Sequence, residues 1–230
     1  MTRRIDQEMQ PRAVVIVFMG DSITAGQYVE PSRRWSSLVG DAILRHYLPT
    51  PVNFHMLNRG VSGETTRQGL ERFPGDVQQH RPDIVTLQFG LNDCNCWVTD
   101  GGLPRVSEAA YSANLIEMIE RARHFGARRL ILSTNHPTLR HKILLGGESL
   151  ETRRRRYNDH VREVAVLTGA ELCDIERAFA DLNHDQLTEM LLPYPDQLHL
   201  TAAGHRLYGS CIQPYLERAV AALVSMEGAL

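Results

Sequence analysis

Near the far end of the chain, Asp196-Gln197-Leu198-His199 sets a carboxylate three residues before an imidazole. Compact backbone at that spacing lets the carboxylate reach its own imidazole, fix its tautomer and steady its charged form, while the other ring nitrogen faces a nucleophile. The chain has 10 histidines, so such a pair means little until other reactive types lie at comparable positions. Gly20-Asp21-Ser22-Ile23-Thr24-Ala25-Gly26 puts a hydroxyl just past an apolar run, where a tight turn can present it. Equally, Asp21 or Ser22 suits the N-cap of a following helix. In Asn58-Arg59-Gly60-Val61-Ser62-Gly63, no side chain on Gly60 blocks a substrate oxygen from its backbone N–H, although glycines there also serve turns. In Gly90-Leu91-Asn92-Asp93, Asn92 either aims its amide at a developing oxyanion or closes an Asx-turn. A hydroxyl, a base and oxyanion donors are what acyl transfer needs. Ser62 is a rival hydroxyl, set aside because it follows the glycine read as a donor.

The elements that must position these groups are short apolar runs alternating with helical patterns. The runs are Ala13–Met19, Val52–Leu57, Ile84–Phe89, Arg129–Ser133 and Ala170–Cys173. Their length and richness in Val, Ile and Leu predict parallel strands buried on both faces. Helices are expected over Trp35–Tyr47 (with Leu38, Ile43 and Leu44 on one side), Ser107–Phe125 closing at Gly126, Leu150–Thr168 closing at Gly169, and Thr201–Val224 with a break near Pro214. Strands alternating with helices imply a three-layer α/β/α sandwich on a flavodoxin-like, five-stranded parallel sheet, with the ligand outside the carboxyl ends of the strands.

At 230 residues, one domain is expected over the whole chain, with a polar N-terminal arm at residues 1–12. A net charge of -2 with both signs mixed gives no drive towards nucleic acid. The apolar run after the arm is too short to span a membrane and lacks a cleavage signal, so a cytoplasmic location without stable membrane insertion is expected. The first crossover carries neither a Walker nor a dinucleotide glycine pattern, so no cofactor is expected. Cys94 and Cys96 form a close pair without a second one, which argues for reduced structural thiols over a metal site. Cys94, beside Asn92, is a candidate pocket-lining thiol.

Together the four segments resemble the SGNH (GDSL-type) hydrolase family, through Ser22 in GDS, Gly60 in NRGVSG, Asn92 in GLND and His199 in DQLH. The resemblance runs over roughly residues 13 to 205. It implies Ser22 as nucleophile, His199 as base and Asp196 as its orienting acid. It also implies an oxyanion hole from the Ser22 and Gly60 amides and the Asn92 side chain. The substrate it implies is a small-molecule ester, with a short O-acyl group favoured over a thioesterase-like or lysophospholipase-like long chain. A catalytically idle binding module on the same scaffold is the alternative of another class. The α/β-hydrolase elbow G-x-S-x-G is absent, because Thr24 stands two beyond Ser22.

Some features stand outside these blocks. Asn135 and His136 share the expected sheet edge, either touching substrate or holding the loop. Leu139–Ser149 reads as a mobile flap or an ordinary connection. The arginines of Arg153–Arg156, with acidic neighbours, read as a solvated helix face laced with intrahelical ion pairs.

Overall fold

The computed structural model describes residues 13–48 and 52–227; the arm expected at residues 1–12 lies outside them. Strands β1 (Val14–Gly20), β2 (Phe54–Gly60), β3 (Ile84–Gln88), β4 (Arg129–Ser133) and β5 (Glu171–Cys173) form one parallel sheet. Its order is β2-β1-β3-β4-β5, the flavodoxin-like arrangement. The order reverses between β1 and β3, and in open α/β sheets the crevice at that switch point takes the ligand.

Helices cover both faces of the sheet. On one side, Val17, Met19, Val85 and Leu87 pack with Phe73, Tyr111, Met118 and Tyr157, carried by α3 (Thr66–Asp76), α4 (Glu108–His124) and α5 (Leu150–Thr168). On the other, Ile16, Phe18, Ile84 and Ile131 pack with residues of α2 (Trp35–Tyr47) and α8 (Ala202–Glu227). Shorter helices are α1 (Ser22–Ala25), α6 (Ile175–Ala180) and α7 (His184–Met190).

Four expectations change. The β2 strand runs to Gly60 and is only half buried, because it is an edge strand: its polar His55, Asn58 and Arg59 lie where no second neighbour covers them. The buried stripe of α2 is Trp35, Val39 and Ile43, spaced i, i+4, i+8; Leu44 is exposed. The α8 helix continues through Pro214. A proline inside a helix costs about 3 kcal/mol, but Ile212, Leu216 and Val220 are fully buried there, each contributing about 1.5–3 kcal/mol.

The fourth change concerns Arg153–Arg156. Arg154 is buried and bonds Glu151 (2.9 Å), Glu176 of α6 (2.9 Å) and the Asn135 carbonyl (2.9 Å). Arg153, also buried, bonds Glu148 and the Gly102 carbonyl at 3.1 and 3.0 Å. These two arginines are internal clamps between segments, and a buried charge requires such partners. Arg155 and Arg156 match the solvated reading, but Arg156 pairs with Glu108 of α4 and with Glu148 ahead of the helix, so among these arginines the intrahelical pair is Arg154 with Glu151.

Candidate active site

The backbone leaves β1 at Gly20 and turns at once into α1. Asp21 caps this short helix, its Oδ1 accepting the Ile23 N–H at 2.9 Å, and Gly26 closes it in the left-handed region. Ser22 therefore begins the helix at the carboxyl edge of the sheet, where the N–H groups of a first turn lack intrahelical partners. From the far end of the chain, the segment before α8 is pinned by an antiparallel bridge between Leu191 and Leu200. Within it, Gln197 adopts φ 56°, bending the chain so that Asp196 faces its own imidazole three residues on.

The His199 Nε2 lies 2.9 Å from Ser22 Oγ, and its Nδ1 lies 2.7 Å from Asp196 Oδ2. The other Asp196 oxygen accepts the Leu198 and His199 N–H groups at 3.0 and 2.7 Å. Partial burial pushes the Asp196 carboxyl up, but the hydrogen bonds from His199 and Leu198 outweigh it, so the group is held below the usual carboxylate range. An ionised Asp196 fixes the proton on Nδ1 and leaves Nε2 to accept from the serine hydroxyl.

A cleft of about 290 Å³ opens at this pair, lined by Gln27, Ser62, Gly63, Leu91, Asn92 and Leu198 among others. Asn92 stands in it with one long hydrogen bond, from Nδ2 to Asp21 Oδ2 at 3.4 Å. Gly60 does not reach it. Its N–H donates to Asn58 Oδ1 at 2.9 Å, and a Cβ there would sit 2.1 Å from the Ala25 backbone nitrogen. Gly60 is glycine because β2 packs directly against α1, so the donor role expected of it fails. Gly63, three residues on, lines the cleft at φ 80°. Its carbonyl is held by Arg105 at 2.9 Å, while its N–H donates to no described residue. Of the glycines in NRGVSG it is therefore Gly63, the second, that lines the cleft with an unpaired N–H.

Behind the cleft lie two buried carboxyls, that of Asp21, the expected N-cap of α1, and that of Asp93, for which the sequence offered no role. Burial, with the negative charge of Asp93 adding to it, pushes Asp21 up to about 7 despite the Ile23 N–H. Burial likewise pushes Asp93 up to about 6, against hydrogen bonds from the Thr66 hydroxyl and N–H. The Asp93 Oδ2 has no partner among the described residues.

Other candidates lie away from the cleft. Asn135 is buried, bonding Gln88, the Phe89 carbonyl and Asn158. His136 is buried against Phe179 with Nδ1 on the Pro137 carbonyl, and burial pushes its imidazole down to about 3. Both hold the loop after β4. Cys94 sits in the hydrophobic core instead of lining the cleft, and burial pushes its thiol up. The Leu139–Ser149 stretch is an anchored connection: Leu144 is core, Ile143 bridges Ser149, and Lys142 bonds Asn95 at 2.6 Å.

A hydroxyl, an imidazole and a carboxylate stand in hydrogen-bonded line at the switch point of a parallel sheet, beside a cleft with amide donors. The class this defines is a three-layer α/β scaffold arranged for acyl transfer. The chain belongs to the GDSL-like lipase/acylhydrolase family, whose profile matches residues 18–207. An arylesterase of Vibrio mimicus is 32% identical over 122 residues, 53% of this chain and 55% of the relative. The chain thus spans about half the length of that relative. An acetylxylan esterase of Geobacillus stearothermophilus is 26% identical over 210 residues, 84% of this chain and 89% of its own. The crystal structure of a lipase/acylhydrolase from Enterococcus faecalis superposes with a TM-score of 0.68 at 26% identity, covering 88% of this chain and 95% of that one.

Proposed function

We propose that the protein hydrolyses carboxylic esters through an acyl-serine intermediate, with Ser22 as nucleophile, His199 as base and Asp196 orienting it. The observation that carries this reading is the hydrogen-bonded line from Asp196 through His199 to Ser22 Oγ. In the first half-reaction Ser22 Oγ attacks the ester carbonyl and passes its proton to His199 Nε2. The ester C–O bond then breaks, and the alcohol leaves with that proton. Water, deprotonated by the same nitrogen, releases the acid and restores the serine. The negative carbonyl oxygen of each tetrahedral intermediate is met by the Asn92 amide together with the backbone N–H groups of Ser22 and Gly63. Gly63 takes the place that the sequence resemblance gave to Gly60.

A short acyl group is favoured. A cleft of about 290 Å³ stands at the lower end of ligand-pocket sizes, and Gln27, Ser62 and Asn92 offer few dry walls to a long chain. Each methylene gains about 0.8 kcal/mol only when it is buried against apolar surface. The acetylxylan esterase relative supports acetylated carbohydrate as the substrate class. One observation favours longer acyl chains instead: Val98, Leu103, Ile143 and Leu145 are exposed apolar side chains on the two segments flanking Asn95 and Arg140. Fluorophosphonate labelling at Ser22 tests the nucleophile and separates an enzyme from an idle binding module. A series of p-nitrophenyl esters from two to twelve carbons tests the acyl length. A kcat/KM maximum at eight or more carbons would replace the short-acyl reading with the lipase-like or thioesterase-like one. Among the described residues no helix is long and apolar enough to cross a membrane.

A further inference from the structure

A second groove, of about 470 Å³, adjoins the catalytic cleft and shares Arg140 with it. Its walls are Tyr28, Leu192, Pro193, Tyr194, Pro195 and Asp196. Two of these, Tyr28 and Tyr194, are largely exposed, at 67% and 82%. Tyr28 presents its ring to the His199 imidazole in an edge-to-face contact with centroids 5.2 Å apart. Its backbone is in the left-handed region at φ 67°, which non-glycine residues keep only where their surroundings over-determine it. The position of this ring beside the imidazole is therefore built in.

The imidazole decides which half of an ester lies here. The leaving oxygen must receive its proton from His199 Nε2, so the alcohol half lies on the imidazole side of the scissile bond. Two walls of the groove touch that imidazole, Tyr28 in a T-shaped ring contact and Asp196 at Nδ1. Exposed aromatic and proline faces suit a flat or chair-shaped ring, which they contact without needing to bury a flexible chain.

Arg140 adds charge. Its Nε donates to the carbonyl of Asp196 at 2.6 Å, its Nη2 stands 3.7 Å from the Asp196 carboxylate, and its Nη1 has no partner among the described residues. The Asp196 carboxylate is already engaged by the His199 ring and two backbone N–H groups. Arg140 makes only one short bond, to a neutral carbonyl. A guanidinium at the junction of two cavities whose Nη1 is unpaired and whose Nη2 holds only a long contact can turn that edge to the planar, two-oxygen geometry of a carboxylate.

We propose that this groove is the subsite for the alcohol half of the ester, and that it selects a ring-bearing alcohol carrying a carboxylate, received by Arg140 and flanked by Tyr28 and Tyr194. The proposal rests on the reading of Ser22 and His199 given above and narrows the alcohol half of the ester to an anionic ring compound.

The test compares the acetyl esters 4-acetoxyphenylacetate and 4-acetoxyphenylacetamide, which differ in charge while a methylene insulates the leaving oxygen. The anionic ester is expected to show a KM about tenfold lower with similar kcat, an advantage that shrinks as salt rises. In Arg140→Gln the ratio between the two esters falls to near one, whatever happens to the overall rate. In Tyr194→Ala both KM values rise severalfold and the ratio persists. Inhibition of the unaltered enzyme by 4-hydroxyphenylacetate against 4-hydroxyphenylacetamide reads the same preference if Arg140→Gln fails to fold. Equal KM and inhibition constants for the charged and neutral members, or a preference surviving in folded Arg140→Gln, would overturn the proposal. Fluorophosphonate labelling keeps the two readings apart: a labelled Ser22 without charge preference sinks only the alcohol subsite, whereas an unlabelled Ser22 sinks the chemistry beneath it.

Discussion

The segments after β3 and β4 look alike as sequence. Each leaves a buried strand at the same sheet edge and sets an asparagine beside a titratable residue, Asn92-Asp93 in one and Asn135-His136 in the other. They do opposite things in the fold. The Asn92 amide has one long bond at 3.4 Å and stands in the cleft. The Asn135 amide donates to the Phe89 carbonyl and Asn158, and its oxygen accepts from Gln88. An amide whose donors are taken by neighbours has nothing to give a substrate. A position at the strand end is therefore not enough to offer a substrate a donor: the amide must also be left unsatisfied and face open space.

The largest test of this contrast sits on the open side. Ser22→Ala is expected to lower kcat by about 10⁴–10⁶ and to abolish fluorophosphonate labelling, with His199→Ala comparable and the double variant little worse, because the pair acts as one unit. Retention of most esterase activity in folded Ser22→Ala would remove Ser22 from the mechanism. Asn92→Ala is expected to lower kcat by about 10²–10³ with a smaller change in KM, since its donor matters most once the carbonyl oxygen is charged. An unchanged kcat would make Asn92 a turn residue and erase the distinction from Asn135.

On the closed side the effect moves from rate to stability. Asn135→Ala strands the Gln88 amide and leaves Asn158 short of a donor in a buried network. That is expected to cost about 1–3 kcal/mol for each group left unpaired, read as a lower denaturation midpoint with kcat of the folded fraction close to that of the unaltered protein. A large loss of kcat at full stability would move Asn135 into the chemistry.

These outcomes bear on what sequence could show. The spans of β4, α2 and α5 were readable because their apolar spacing and caps are local. Ser22 and Asn92 were readable because strand-end position is local too, and Asp196 with His199 because a carboxylate three residues before an imidazole is a local spacing. The α3 helix went unread: Gly69 and Pro74 interrupt it, and its apolar stripe is little more than Leu70 and Phe73. Its one clear sign was the capping box of Thr65 and Gln68, a T-x-x-Q pattern. The burial of Arg154 depends on Glu176, which follows a different strand, and no spacing rule links them. The choice between Gly60 and Gly63 turns on the approach of α1 to β2, which is a packing fact. Apart from α3, these misses are non-local.

The smallest expected effect compares the two segments through their buried titratable groups. Asp21, behind Asn92, has a folded value of about 7 against about 3.9 unfolded, so between those values the folded state binds the extra proton. Its contribution to stability is full below about pH 4 and is lost as pH rises towards 7. Asp93, at about 6, acts the same way in a narrower window. His136 runs the other way. Its folded value of about 3 lies below about 6.5 for the unfolded chain, so the unfolded state binds the proton and stability rises with pH between them. His205, buried and pushed down to about 4, adds to that side. Each group contributes a slope of at most about 1.4 kcal/mol per pH unit, and between about pH 4.5 and 6 two descending slopes oppose two ascending ones. The unaltered protein should therefore show a shallow profile there, measured as urea midpoints at half-unit steps. Asp21→Asn removes a descending slope, so its stability relative to the unaltered protein should climb as pH rises. His136→Gln removes an ascending one, so its relative stability should fall over the same interval. Parallel profiles for all three proteins would show that neither carboxyl nor imidazole changes its proton count on folding. The open and closed strand ends would then differ in hydrogen bonding alone.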